Sequence, residues 1–165
     1  MTDGAISNRP AEEKIIRLRL NELHLFKGYS ALNGIMPRNQ PYLVRDEDPS
    51  MVRLIARIKA RGVRQPALVR PDPEGGYEII DGHRRYRASE LAERPDMPVI
   101  IRDLSDEEAV AEMVDGNVQR ENVLPSERAW AYRMYLEADK KRAGRPAKNS
   151  PKISANFRSD DAVSY

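Results

Sequence analysis

The chain has 165 residues, 40% of them hydrophobic and 33% charged, enough for one compact domain of about 100 to 150 residues plus tails. The formal net charge of +2 does not identify a nucleic-acid partner by itself, so the placement of the basic residues has to carry that question. With no cysteine, disulfide scaffolds, thiolate metal sites and cysteine nucleophiles are excluded, and two distant histidines, His24 and His83, argue against a zinc site. No apolar run approaches the roughly 20 residues of a membrane span and the N-terminus lacks the apolar core of a signal peptide. A cytoplasmic chain with no membrane partner is expected.

Residues 1–13 are polar and read as a disordered tail. Ile16, Leu18 and Leu20 then alternate with Arg17 and Arg19, the period of a half-buried strand. HLFKGYSALNGIMPRNQP is broken by glycine, proline and asparagine and reads as a long loop. From Asp48, DPSMVRLIARIKARG carries an acidic cap, Pro49 in the first turn, and Met51, Leu54, Ile55 and Ile58 on one face, with Gly62 as the stop. ALVRP and YEIID flank the turn PDPEGG as a hairpin, and MPVIIRD predicts a further strand. HRRYRASELAE reads as a short helix following Asp81 and Gly82, with Arg84, Ala88, Leu91 and Ala92 as its buried stripe. Ser105 and Glu108 form a capping box for a helix that turns Val110, Met113 and Val114 inward. Pro125 opens another helix, whose Trp130, Tyr132, Met134, Tyr135 and Leu136 spread over more than one face and suggest burial against two neighbours.

These elements predict an α+β fold, a small mixed β-sheet with flanking helices, followed by a C-terminal helix and a basic linker. The expected division is a tail at 1–13, a domain at 14–122, the helix of a following region at 123–144, and a linker or the start of a truncated helix-turn-helix module at 145–165.

Two constellations carry chemistry. At Asp81, Gly82 and His83 a strand, a glycine and a helix meet, an arrangement that lets backbone and free helix N–H groups approach an anion. Arg84, Arg85 and Arg87 follow within the first turns and suit a polyphosphate clamp, since guanidinium binds two oxygens at once. A structural reading stands beside it, with Asp81 or Glu108 satisfying Arg84 while Arg85 and Arg87 are solvated. The second constellation is DGNVQREN, where Asn117 continues the inward stripe Val110, Met113, Val114 and needs hydrogen-bond partners. A helix-terminating Asn beside Gly116 explains it equally well.

The order GVRQPALVR, GHRRYRAS, VIIRDLSDEEA, NVQREN, LPSERAWAY resembles the ParB N-terminal domain family, with its ParB/sulfiredoxin-like fold, over roughly residues 15–140. The resemblance implies CTP and magnesium as ligands. Gly82, His83, Arg84, Arg85, Arg87, Asn117 and Arg120 would hold the phosphates, with Asn117 near the metal and Arg45 and Gln65 beside the nucleotide. It further implies a plasmid- or chromosome-partition protein, with DNA as partner, a homodimer clamp controlled by nucleotide, a ParA-type ATPase as a further partner, and a nucleoid- or plasmid-associated location in the cytoplasm. Lys140, Lys141, Arg142, Arg145 and Lys148 would give the chain salt-sensitive DNA contacts.

Two departures from the family pattern stand out. His83 occupies a position where many relatives carry Glu, and Gly116 a position where typical relatives carry Glu just before the Asn. The second places CTP hydrolysis in question and leaves nucleotide binding as the expectation. Two further readings remain open: a phosphotransferase or nuclease on the same fold, for which Glu78, Asp81 and Glu121 form no recognisable arrangement, and a nucleotide-independent adaptor.

Overall fold

Alternation of apolar and charged side chains makes Ile15–Arg19 a strand, β1, in the computed structural model, which describes residues 13–28, 41–118, 120 and 122–144. Leu18 is buried while Ile15, Arg17 and Arg19 face outward. Leu20 does not continue the alternation. It begins a 3-10 turn, Leu20–Glu22, which Glu22 closes by accepting from the Arg19 N–H at 2.9 Å. A two-residue strand, β2 (Leu23–His24), follows, so the expected loop starts as sheet; its residues 29–40 lie outside the described residues.

Three more strands, β3 (Ala67–Pro71), β4 (Tyr77–Asp81) and β5 (Asp96–Ile101), complete a sheet of order β1-β5-β3-β4-β2. β1 runs antiparallel to β5 and β3 antiparallel to β4, whereas β5 with β3 and β4 with β2 are parallel. The sheet is therefore mixed, as the sequence predicts. Its two edge strands are joined by the short turn alone, which reaches at most roughly 14 Å even if extended. A flat sheet of this order would hold them about 19 Å apart, so the sheet curls until its edges approach. Gly76, in the β3–β4 turn, lies in that seam: its φ is 69°, and a Cβ there would fall 2.7 Å from the Glu22 carbonyl oxygen.

Four helices flank the sheet: α1 (Pro49–Arg61), α2 (His83–Leu91), α3 (Asp106–Asn117) and α4 (Pro125–Ala143). Asp48 caps α1 by accepting from the Ser50 N–H at 3.0 Å, and Ser105 and Glu108 cap α3 reciprocally. Ile79 and Ile80 of β4 point to opposite faces of the sheet, as neighbours on a strand must. Ile79 packs with Leu18, Val69, Met97 and Val99, and Ile80 with Val110, Met113 and Val114 of α3. A smaller cluster joins α1 to α2 through Met51, Ile58, Ala88 and Ala92.

Two expected faces differ from those observed. On α2 the buried stripe is Ala88 and Ala92, because small side chains let α1 approach closely, and Leu91 is left 40% exposed at the rim. α4 buries one face rather than two. Glu127, Ala131, Met134 and Ala138 face inward, with Ala131, Met134 and Ala138 in the cluster built on α3, while Tyr132 and Leu136 are exposed. Among the described residues no helix is long and apolar enough to cross a membrane.

Glu78 fixes the sheet to its surroundings. Its buried carboxylate accepts from the Lys27 N–H at 2.6 Å and from Arg70 Nε at 2.7 Å, and Arg70 continues to the Leu104 carbonyl and to Asp106 at the start of α3. Removing one member of a buried pair strands the other, a loss of about 3 to 5 kcal/mol. Glu78→Ala is expected to lower stability toward the lower end of that range, because Asp106 still partners Arg70. Glu78→Gln, which keeps an acceptor, is expected to lose less, with urea unfolding midpoints as the measure.

Candidate functional site

β4 delivers Asp81 to the end of the sheet, and one residue turns the chain into α2. Gly82 has φ 110°, and a Cβ on it would lie 2.8 Å from the Ala67 Cβ, so conformation and space both demand glycine. The first intrahelical bond of α2 runs from the Tyr86 N–H to the Gly82 carbonyl at 2.9 Å. The N–H groups of His83, Arg84 and Arg85 therefore precede the hydrogen-bonded ladder at the positive end of the helix dipole.

These amides open onto a cleft of about 480 Å³, a volume suited to a small organic ligand. Its walls come from Tyr42–Val44, from Ser50, Leu54 and Arg57 of α1, from Gln65, from the Asp81–Arg85 junction, and from Gly116, Asn117 and Arg120 at the end of α3. Four guanidinium groups, Arg57, Arg84, Arg85 and Arg120, line it against one carboxylate, Asp81.

Arg84 takes neither of the carboxylates expected to satisfy it. Its Nη2 donates to Ser50 Oγ at 2.6 Å, whereas Asp81 faces Arg85 at 3.4 Å and Glu108 is committed to the α3 cap. The i,i+4 spacing sets Arg85, not Arg84, over the strand end. Burial, and then the charge of Arg120, hold the Arg84 guanidinium below its ordinary pKa. Two cations thus repel each other across the cleft, a strain that an anion between them would relieve. Arg85 also donates to the Gln65 and Pro66 carbonyls at 3.0 and 2.6 Å, which ties the junction to the start of β3.

Asn117 is the last residue of α3 and points one way for structure and the other for chemistry. Its Nδ2 donates to the Met113 carbonyl at 2.8 Å and its Oδ1 accepts from Arg120 at 3.0 Å, while the Arg120 guanidinium lies 6.0 Å from the Tyr42 ring centroid. Gly116 packs directly on Asp81: a Cβ on it would sit 3.4 Å from the Asp81 Cγ. A side chain at position 116 would therefore begin in ordinary van der Waals contact with the carboxylate of β4.

Other residues singled out in the sequence lie elsewhere. Arg87 points away from the cleft lining, with Asp46 on its Nε and Nη2 (3.1 and 2.7 Å) and Glu90 at 3.3 Å. Arg45 turns to the buried Glu127 at 3.3 Å, which also accepts from the Leu43 and Leu124 N–H groups and so clips the segment after position 42 to the start of α4. Lys140 pairs with Glu137 at 3.0 Å, and Arg145 and Lys148 lie outside the described residues. Tyr42, Ser50 and Arg57 line the cleft without having been expected there. Ser50 reads as part of a helix cap and Arg57 as a solvated face, so only packing of α1 beside α2 reveals them.

His83 lines the cleft, yet its ring is buried. Nε2 accepts from the Phe26 N–H at 3.4 Å, and burial lowers its pKa to about 4. The imidazole is neutral and adds no charge to the arginine cluster.

The arrangement defines a class: a curled mixed sheet whose arginine-rich cleft opens at a strand–glycine–helix junction. Residues 31–118, more than half of the chain, match the ParB N-terminal domain, and the chain belongs to that family. Over 91 residues it is 45% identical to a probable chromosome 1-partitioning protein ParB of Deinococcus radiodurans, an alignment covering 55% of this chain and 31% of that protein. It thus spans about a third of that relative's length. Among solved structures, the C-terminally truncated ParB of Caulobacter crescentus complexed with CTP-γ-S is 30% identical, with a TM-score of 0.52 over 77% of this chain and 65% of that one. The same protein complexed to the centromeric parS site gives 28% identity and a TM-score of 0.54, covering 76% and 58%.

The depressed pKa of His83 has a consequence for stability. The unfolded chain takes up this proton at the ordinary 6.5 and the folded chain only near 4, so the stabilisation from a neutral ring is complete above pH 6.5 and is lost as the pH falls through 4. Thermal melts are expected to decline across that window, and His83→Gln, which cannot be protonated, is expected to flatten the decline.

Proposed function

We propose that this chain is the nucleotide-responsive part of a DNA-partition protein and that its cleft binds CTP. The observation that carries the reading is the convergence of Arg57, Arg84, Arg85 and Arg120 on the open N-terminus of α2, with Arg84 and Arg120 repelling each other across the cleft. An oligophosphate satisfies both cations and the helix amides together. The choice of CTP rests on the ParB relative whose structure contains CTP-γ-S. Arg84, Arg85 and Arg120 hold phosphate oxygens, Gly82 makes the turn that presents the first amides of α2 to them, and Gln65 lies at the rim.

Magnesium fits the donors present. It prefers oxygen and needs one or two protein ligands beside phosphate, and Asp81 and Asn117 supply a carboxylate and an amide oxygen on adjoining walls of the cleft. The bound metal would neutralise charge on the phosphates. Among the described residues there is no group of three or more metal-ligating side chains that would suggest a metal held by protein alone.

In this reading nucleotide occupancy biases two copies of the chain toward a closed clamp around DNA. The connecting element is Glu127, which links the segment at Leu43 and Arg45, beside the cleft, to the first turn of α4. A ligand that draws on the Tyr42–Val44 wall therefore acts on α4 as well. Residues 14–122 would form the nucleotide domain and 123–144 the helix of the following helical region.

Isothermal titration with CTP and magnesium tests the reading. Wild type is expected to bind, and Arg84→Ala to weaken binding by about 1.5 to 3 kcal/mol, about 10- to 150-fold, the usual loss for a charge-assisted contact. Arg87→Ala is expected to leave the affinity unchanged. Absence of CTP binding in the wild-type chain would rule the proposal out. Asp81→Asn is expected to abolish most of the magnesium stimulation while leaving metal-free binding equal or tighter, because it removes a negative charge facing the phosphates.

A further inference from the structure

α1 is charged with one sign. Its sequence, PSMVRLIARIKAR, contains four basic residues and no acidic one. Arg53, Arg57 and Arg61 recur at every fourth position, which lines them up on one side of the helix about 6 Å apart along its axis. Arg64 extends the line beyond the turn at Gly62, and all four are exposed.

Some surface arginines are matched: Arg17 with Asp96, Arg87 with Asp46, Arg102 with Glu112. Among the described residues no carboxylate lies in ion-pair range of Arg53, Arg57, Arg61 or Arg64. Arg57, Arg61, Arg64 and Arg85 surround a second hollow of about 400 Å³, which Leu54, Ile58 and Val63 help to line beside the nucleotide cleft.

A basic amphipathic helix can also rest on an anionic membrane by inserting its apolar face. Here that face is already used, since Met51 and Ile58 are buried against Ala88 and Ala92. Only the charged side is available, and what matches it is a regular row of anions. Guanidinium forks suit phosphate oxygens, and a row of them along a helix suits a phosphate backbone.

We propose that the Arg53–Arg57–Arg61 stripe, continued by Arg64, is a second anion-binding surface that contacts the DNA phosphate backbone without reading sequence. It rests on the reading that the chain acts on DNA, and it meets the nucleotide cleft only at Arg57: Arg53, Arg61 and Arg64 do not line that cleft.

The test is binding of the whole chain to a labelled duplex without a parS site, across a salt titration. The variant Arg53→Gln/Arg61→Gln/Arg64→Gln is expected to bind more weakly, with the slope of log K against log salt shallower by about 2 to 3, while its CTP affinity matches wild type. Arg64→Gln alone, outside the helix, is expected to reduce the slope by about 1, and replacing all three by lysine to restore most of it. Wild-type affinity and slope in the folded glutamine variants would overturn the proposal. So would loss of CTP binding with DNA binding intact, which would make the hollow part of the nucleotide site. Competition by polyglutamate as effective as by duplex would assign the stripe to an acidic protein instead. No DNA binding by the wild-type chain would remove both this proposal and the DNA reading, whereas failure of the stripe variants alone removes only this one.

Discussion

Everything at the cleft depends on the contact between Gly82 and Ala67. β4 can turn into α2 within one residue only because Gly82 adopts a left-handed conformation and because no side chain separates it from β3. That close approach aims the first turn of α2 across the end of the sheet. The same turn places Arg84 toward Ser50 of α1 and Arg85 toward Gln65 and Asp81. A side chain at position 82 would push the helix from the sheet and scatter the cations that converge there.

The cleft is electrostatically incomplete. Arg70 is held by Glu78 and Asp106 and Arg87 by Asp46, each with its charge answered. Arg84 has a hydroxyl, a neighbouring cation in Arg120, and only the more distant charge of Asp48 to offset it. A charge so incompletely answered near a low-dielectric wall is unfavourable, and the sheet, α1 and α3 hold it in place. The departure at Gly116 belongs to the same balance: with no side chain at 116, the one carboxylate lining the cleft is Asp81, from β4 instead of α3.

Much of the fold was legible because its signals are local. Alternation marks β1, the cap Asp48-Pro49 starts α1, the Ser105–Glu108 box starts α3, and PDPEGG joins β3 to β4. The misread faces are those that packing chooses. Leu91 belongs to the apolar stripe of α2 by spacing alone, but α1 approaches on the alanine side; Tyr132 and Leu136 look like buried residues until α3 takes only the Ala131–Met134–Ala138 face. Arg87 lies five residues after Gly82 yet turns outward, because its position on the helix puts it over Asp46.

From its sequence alone this protein declares its mixed α+β class, its glycine junction, and the two blocks DGHRRYRAS and NVQREN, because turn chemistry, capping and short motifs act over a few residues. Only the tertiary structure decides that Ser50 of α1 meets Arg84 and Arg57 joins it in lining the cleft, that Asp81 lies beside Gly116, and that α1 leaves an unmatched row of arginines outside. Those depend on which faces two helices use against each other. Ser50 and Arg84, 34 positions apart in the chain, become neighbours only when Ala88 and Ala92 let α1 close on α2.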